Sequence, residues 1–157
     1  MRTRPRRCGI WRHWWAMSDD LYAKDLLRWA ADVSHAGQLD PHDASAVHIN
    51  AMCGDRVRID MTLDGGTVVE CRHDTRACAL TQGSAAILSA HASGETAQSI
   101  TALAEAVAAM LRDGTPAPAG KWSAYGIFVA AAPHKSRHTC VLLPLEAAKK
   151  ALNDRGS

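Results

Sequence analysis

Three cysteines and one aspartate offer side chains that could bind a metal together. Cys53 and Asp55 flank Gly54 in "NAMCGD", directly before a segment of alternating polarity. Cys78 and Cys140 each stand in the first turn of a predicted helix. Unpaired amides and the helix dipole lower a thiol pKa at such a position, which predicts thiolates at both. Three thiolates and a carboxylate form a four-donor set of the kind that zinc or an iron–sulfur cluster accepts.

The intervals between these cysteines leave another interpretation open. Cys53, Cys78 and Cys140 are much further apart in sequence than the ligands of a compact CxxC knuckle. On composition alone, three unrelated buried cysteines explain the pattern about as well. Cys71 lies on a predicted strand, and we expect it to be a small buried core residue.

The bulk composition indicates one globular domain. The chain has 157 residues, of which 47% are hydrophobic and 22% charged, which is enough to bury a core without disulfides. Its five cysteines are an odd number and no secretory signal accompanies them, so metal binding or thiol chemistry in the cytoplasm is expected rather than a disulfide framework. No apolar run approaches the length of a membrane span.

Residues 1–16 differ from the rest of the chain. They hold five arginines and no acid, and the other 13 of the 18 basic residues face 16 acidic ones. The remainder is therefore mildly acidic, which argues against nucleic-acid binding. The segment could be a targeting leader, a membrane-surface anchor or the product of a misassigned start. We favour the third, since Met17 opens "MSDDLYAKDLL" with a capping Ser18, and we expect residues 17–157 to form the domain.

Alternating residues predict a small antiparallel sheet. In "VRIDMTL" the apolar side chains of Val57, Ile59, Met61 and Leu63 alternate with polar ones. "DGG" then predicts a hairpin turn, because glycine accepts positive φ, and "TVVECRH" is the returning strand. An earlier strand through "AVHI" would complete a three-stranded meander.

Helical periodicity surrounds this sheet. Helices are predicted from Ser18, from near Cys78, and in an alanine-rich segment that Gly114 ends. A last helix, "TCVLLPLEAAKKALND", should have Pro144 in its first turn, where its missing N–H is harmless. The segment "SAYGIFVAAAPHKSRH" is ambiguous between helix and extended chain. The alanine-rich helix should turn five residues inward: Ile100, Leu103, Val107, Met110 and Leu111. The predicted fold class is α+β, a three-stranded antiparallel sheet covered by helices.

Three blocks of the sequence resemble a known family. "NAMCGDRVRIDMTLDGG" resembles an Asn-Pro-x-Cys-Gly-Asp block, and "RHDTRACALTQGSAAILSAHASGETAQS" is similar to one centred on Gly-Cys-Ala-Ile-Ser. "SRHTCVLLPLEAAKKAL" resembles a terminal block in which arginine stands three residues before cysteine. Together they resemble the NifU/IscU-type iron–sulfur cluster assembly scaffolds, particularly the SufU-like branch, over Leu21 to Leu152. The resemblance implies the NifU N-terminal/IscU-like fold and a metal pocket formed by Cys53, Asp55, Cys78 and Cys140.

Some residues depart from the pattern of that family. Ala51 replaces a proline, and Glu95 stands where the family has lysine. His138 lies two residues before the last cysteine rather than one. It could approach the metal or shuttle protons, although a solvated loop histidine is the commoner case. Arg137 is either a cation that offsets the negative ligands or a surface residue.

Three functions follow as hypotheses. The first is a scaffold that assembles an iron–sulfur cluster, transient and of the 2Fe-2S type, and transfers it to acceptor proteins after a cysteine desulfurase supplies sulfur. The second is a Zn2+-containing sulfurtransferase partner of such a desulfurase. The third, a zinc hydrolase, is weak because no HExxH-type pair is present. We expect no ordinary enzyme activity, no nucleic-acid or membrane partner, and a monomer or weak dimer.

Overall fold

The computed structural model describes residues 23–154. The segment 1–16 and the helix start at Ser18 therefore lie outside the described residues. In chain order the elements are α1 (Lys24–Ala31), β1 (Ala44–Ile49), β2 (Arg56–Asp64), β3 (Thr67–Arg76), α2 (Ala79–His91), α3 (Ala97–Asp113), a 3₁₀ segment (Gly120–Ala131) and α4 (Lys135–Asp154). Within this range, no helix combines the length and the apolar character needed to cross a membrane.

The sheet is the predicted meander. Its strands pair antiparallel in the order β1-β2-β3. Gly65 and Gly66 connect β2 to β3 with φ of 59° and 90°, values that a two-residue hairpin of this kind demands and that glycine adopts without strain. The predicted sheet, with helices covering it, is confirmed.

The inward face of β2 anchors the hydrophobic core. Val57, Ile59 and Met61 are completely buried, as their alternation predicts. Helices α2 and α4 pack against the sheet, and α2 is buried along most of its length. Its Gly83 allows α1 to approach closely, since a Cβ at position 83 would lie 2.7 Å from Leu26 Cδ1.

Helix α3 has the C-terminal end and the buried face that its sequence predicts. Thr96 caps its start by accepting from the Ser99 amide, and Gly114 ends it with φ of 74°, the left-handed conformation that favours glycine. All five of its predicted inward residues are buried: Ile100, Leu103, Val107, Met110 and Leu111.

Helix α4 begins earlier than predicted. It starts at Lys135, so Cys140 is its sixth residue and Pro144 lies in its interior. The predictions that both residues occupy the first turn are therefore wrong. The residues from Lys135 to Thr139 contain no glycine or proline to stop a helix. The backbone bond that Pro144 cannot make is replaced by a side chain from α2, as described below.

A buried carboxylate stabilises the outer side of the sheet. Asp60 is only 1% exposed although it points away from the face of Val57 and Ile59. It accepts hydrogen bonds from Ser45 Oγ at 2.6 Å, Arg58 Nε at 2.9 Å and the Leu39 amide at 3.0 Å. Burial opposes its ionisation, but these three donors together hold the pKa of Asp60 below its ordinary value.

We expect Asp60→Asn to lower the free energy of unfolding by roughly 2–3 kcal/mol at pH 7, because hydrogen bonds to a charged group are lost. A lowered pKa stabilises the fold above the unfolded value near pH ~4, and that contribution disappears as pH falls through the folded pKa. Urea unfolding from pH 7 to pH 3 measures both effects. Asp64→Asn, on the same strand but exposed, is the control. Equal stability of the two variants at pH 7 would contradict the prediction.

Candidate metal centre

The loop from residue 50 to residue 55 positions two of the four predicted ligands. The side chain of Asn50 accepts from the Met52 amide at 3.0 Å. The Asn50 amide donates to the Asp55 carbonyl at 2.8 Å, and the Gly54 amide donates to the Asn50 carbonyl at 2.7 Å. Gly54 has φ of 77°, so glycine suits this tight turn. The result is an exposed Cys53 beside a half-buried Asp55.

The third predicted ligand lies at the start of a helix. Cys78 is the N-cap residue of α2, with extended backbone angles. Its carbonyl accepts the Gln82 amide at 2.9 Å, which begins the helical hydrogen bonding. The predicted helix start near Cys78 is confirmed, and its thiol is half-buried.

Cys140, the fourth predicted ligand, has a different environment from the one predicted. It is 3% exposed and lies inside α4 rather than at its N-terminus. Burial raises the pKa of its thiol to about 12, and the neighbouring Cys78 thiol, Asp55 and Cys53 act in the same direction. The expectation of a thiol pKa lowered by a helix start is therefore wrong for Cys140, because desolvation disfavours the charged form.

The fold brings these residues together from three separate parts of the chain. The Sγ atoms of Cys53 and Cys140 and a carboxylate oxygen of Asp55 all lie within 4.8 Å of one another. Cys78 is outside that group of three. Its thiol is nevertheless close enough to Cys140 to raise the pKa of the Cys140 thiol. Metal binding by all four residues remains a prediction.

Thr81 is a residue of the site that the sequence analysis did not identify. Its side chain is completely buried. Oγ1 lies 3.2 Å from Asp55 Oδ2 and 3.6 Å from Cys78 Sγ, and it donates to the Cys140 carbonyl oxygen at 3.0 Å. The signal in the sequence was its position three residues after Cys78, which places both on one side of a helix.

Three further residues that the sequence analysis weighed have the following environments. His138 belongs to the first turn of α4, not to a loop, and its ring contacts the Ala132 carbonyl oxygen through Nε2 at 2.8 Å. Cys71 is 2% exposed, as predicted for a core residue, and burial raises the pKa of its thiol to about 12. Arg137 is the third residue of α4 and is half-buried.

The donor set fits a thiolate-binding metal. In a tetrahedral zinc site with 2.3 Å zinc–sulfur bonds, the sulfur atoms lie about 3.8 Å apart. The Sγ atoms of Cys53 and Cys140, at most 4.8 Å apart, require a contraction of about 1 Å or less to reach that sulfur–sulfur distance. Soft sulfur donors favour zinc or iron–sulfur iron, while the single carboxylate is a harder and weaker partner for such centres.

Fold and donors define a small α+β domain in which thiols and a carboxylate from separate parts of the chain meet. The chain belongs to the family of the NifU-like N terminal domain, whose sequence profile matches residues 21–153. The predicted membership of the NifU/IscU-type family is thereby confirmed.

Individual relatives agree with this assignment. The chain is 24% identical to the iron–sulfur cluster assembly scaffold protein IscU of Thermotoga maritima, over 84% of this chain and 92% of that protein. A NifU-like N-terminal structure from Brucella abortus is 31% identical, with a TM-score of 0.85 over 89% of this chain and 97% of that one. A SUF-system scaffold protein of Fervidobacterium islandicum AW-1 is 21% identical and shares the fold. Its TM-score is 0.78 over 86% of this chain and 98% of that one.

We expect the full chain to bind one zinc ion, and Cys53→Ser to lose it during exchange into a buffer with a weak chelator. Replacing a thiolate by a hydroxyl removes a soft donor, and the exposed position of residue 53 leaves the core untouched. Elemental analysis gives the stoichiometry.

Cys71→Ala provides the control, because it removes a buried thiol that lies outside the group of donors. It should keep one zinc per chain. Equal zinc retention by Cys53→Ser and Cys71→Ala would show that Cys53 is not a ligand.

Proposed function

We propose that this protein is a scaffold on which an iron–sulfur cluster is assembled and from which it is passed to acceptor proteins. One observation carries the proposal: donor atoms of Cys53, Asp55 and Cys140 lie within 4.8 Å of one another in a chain of the NifU-like family. Cys78 completes the proposed ligand set. Iron and sulfide are cargo in this function, so the site must both hold them and release them.

The uneven burial of the ligands suits such a site. Cys140 is buried, Asp55 is half-buried and Cys53 is exposed, so cargo reaches the site from the side of Cys53. Buried ligands are held by packing on every side, whereas an exposed ligand is open to an approaching thiol. In this proposal Asp55 is the exchangeable ligand, since a carboxylate binds these soft centres less strongly than a thiolate.

The surroundings of Cys53 support protein partners. Met52, next to it in sequence, is 95% exposed, and Ile49 at the end of β1 is 57% exposed. Apolar side chains that are exposed beside an accessible thiol can be covered when another protein docks. We propose that a cysteine desulfurase delivers sulfur and acceptor proteins collect the cluster at this end of the molecule.

The exposed thiol of Cys53 also favours a second candidate function, that of a zinc-containing sulfurtransferase partner. In that function zinc stays bound, and a cysteine takes sulfur from the desulfurase. The metal content separates the two candidates. A chain purified without oxygen that carries stoichiometric iron and sulfide favours the scaffold, while one tightly held zinc with transferable sulfur favours the second.

The scaffold proposal is tested by anaerobic reconstitution with iron and sulfide. We expect visible absorption from sulfide-to-iron charge transfer, and its disappearance from this protein when an acceptor apo-protein gains it. Absence of any iron or sulfide uptake under conditions that load another member of the family would reject the proposal.

Asp55→Cys should bind the cluster more tightly and release it more slowly, because a fourth thiolate replaces the harder carboxylate. The rate of cluster transfer to a chelator or acceptor protein measures the effect. Asp64→Cys adds a thiol at the exposed end of β2, away from the site, and should transfer at the parent rate. If Asp55→Cys also transfers at that rate, Asp55 is a turn residue and not the exchangeable ligand.

A further inference from the structure

A proline in the middle of α4 frees one backbone carbonyl of the site. In an α-helix the amide of residue 144 would donate to the carbonyl of Cys140, but Pro144 has no amide hydrogen. The Thr81 hydroxyl supplies the missing donor, with Oγ1 3.0 Å from that carbonyl oxygen. A side chain of α2 therefore takes the place of a backbone bond within α4, at the residue that carries one of the proposed ligands.

The same hydroxyl contacts two further proposed ligands. Thr81 Oγ1 lies 3.2 Å from Asp55 Oδ2 and 3.6 Å from Cys78 Sγ, in a position with no solvent exposure. Its one proton can go to the Cys140 carbonyl or to the Asp55 carboxylate, and its oxygen can accept from the Cys78 thiol. One buried atom thus joins the 50–55 loop, the start of α2 and the middle of α4.

We propose that Thr81 and Pro144 act as a positioning pair for the metal centre. Pro144 leaves the Cys140 carbonyl free, and Thr81 binds it and thereby fixes the spacing between Cys140, Asp55 and Cys78. Neither residue is a ligand. This inference rests on the proposed function, because it concerns the same site.

Ser84 provides a matched comparison within the same pair of helices. Its Oγ donates to the Val141 carbonyl at 2.7 Å and lies 3.3 Å from the Tyr125 hydroxyl. Like Thr81, it is completely buried and joins α2 to α4, but its hydrogen bonds go to none of the four proposed ligands. Its loss should therefore affect the stability of the fold and not the geometry of the site.

Substituting Pro144 separates positioning from stability. Pro144→Ala restores an amide hydrogen that can donate to the Cys140 carbonyl, and alanine is the better residue in a helix interior. The carbonyl then no longer depends on Thr81. Metal binding should weaken even though the metal-free protein unfolds at the same or a higher temperature, a combination that a purely structural role does not produce.

The experiment is an anaerobic titration of the full chain with Co2+, followed by competition with Zn2+. Thiolate-to-cobalt absorption reports the number and geometry of the sulfur ligands, and thermal unfolding of the metal-free chain reports stability. Loss of an outer contact to metal ligands commonly lowers affinity 10–100-fold, and we expect about that loss for Thr81→Val, with a changed cobalt spectrum. Thr81→Ser keeps the hydroxyl and should restore parent binding.

The remaining variants complete the comparison. Pro144→Ala should weaken Co2+ binding in the same direction as Thr81→Val. The double variant should bind no more weakly than the weaker single variant, because both remove one shared contact. Ser84→Ala should lower the unfolding temperature and keep the parent affinity and spectrum.

Parent-like Co2+ binding by both Thr81→Val and Pro144→Ala would overturn the positioning pair while leaving the scaffold proposal intact. A Thr81→Ser variant that binds Co2+ as weakly as Thr81→Val would also overturn the positioning pair. If Thr81→Val does not fold, the test relies on Pro144→Ala. Parent-like Co2+ binding by Pro144→Ala is then sufficient to reject the role of Pro144. A parent chain that binds neither Co2+ nor iron and sulfide would reject the proposed function as well.

Discussion

The registration of α4 against α2 is the constraint on which the rest of the site depends. Thr81 and Ser84, both completely buried on α2, donate to the successive carbonyls of Cys140 and Val141 at 3.0 and 2.7 Å. A buried polar group without a partner costs about 1–3 kcal/mol. A shift of α4 by one residue along its axis would remove both partners at once. The two bonds together hold α4 in its register, whereas only the bond from Thr81 goes to a residue that carries a proposed ligand.

The site combines this rigid side with an accessible one. Burial raises the pKa of the Cys140 thiol to about 12, and a bound metal would take the place of the thiol proton. Cys53 has the opposite environment, exposed on a loop that Asn50 closes through both its backbone and its side chain. In the proposed function, cargo meets the exposed thiol of Cys53 first and the buried thiol of Cys140 last.

Local patterns in the sequence were sufficient to predict most of the fold. The alternation of Val57, Ile59 and Met61 predicts a strand with one buried face, and Gly65 with Gly66 predicts its hairpin. These are short-range effects of side-chain direction and backbone sterics, so neighbouring residues determine them. The first residue of α4 could not be predicted in this way. A proline such as Pro144 ordinarily excludes a helix interior, and the side chain that compensates for it comes from α2, far away in sequence.

For the candidate centre too, the sequence determined some features and the tertiary structure determined others. The sequence by itself determined which donors are available, because Cys53, Asp55, Cys78 and Cys140 stand out by residue type and by their resemblance to a family. Only the tertiary structure decided how exposed each donor is and that a buried threonine joins three of them. Burial, and with it the raised pKa of Cys140, arises from packing between elements distant in the chain. Residue type and spacing carry the chemistry of a site, whereas its desolvation and geometry depend on contacts that no local pattern specifies.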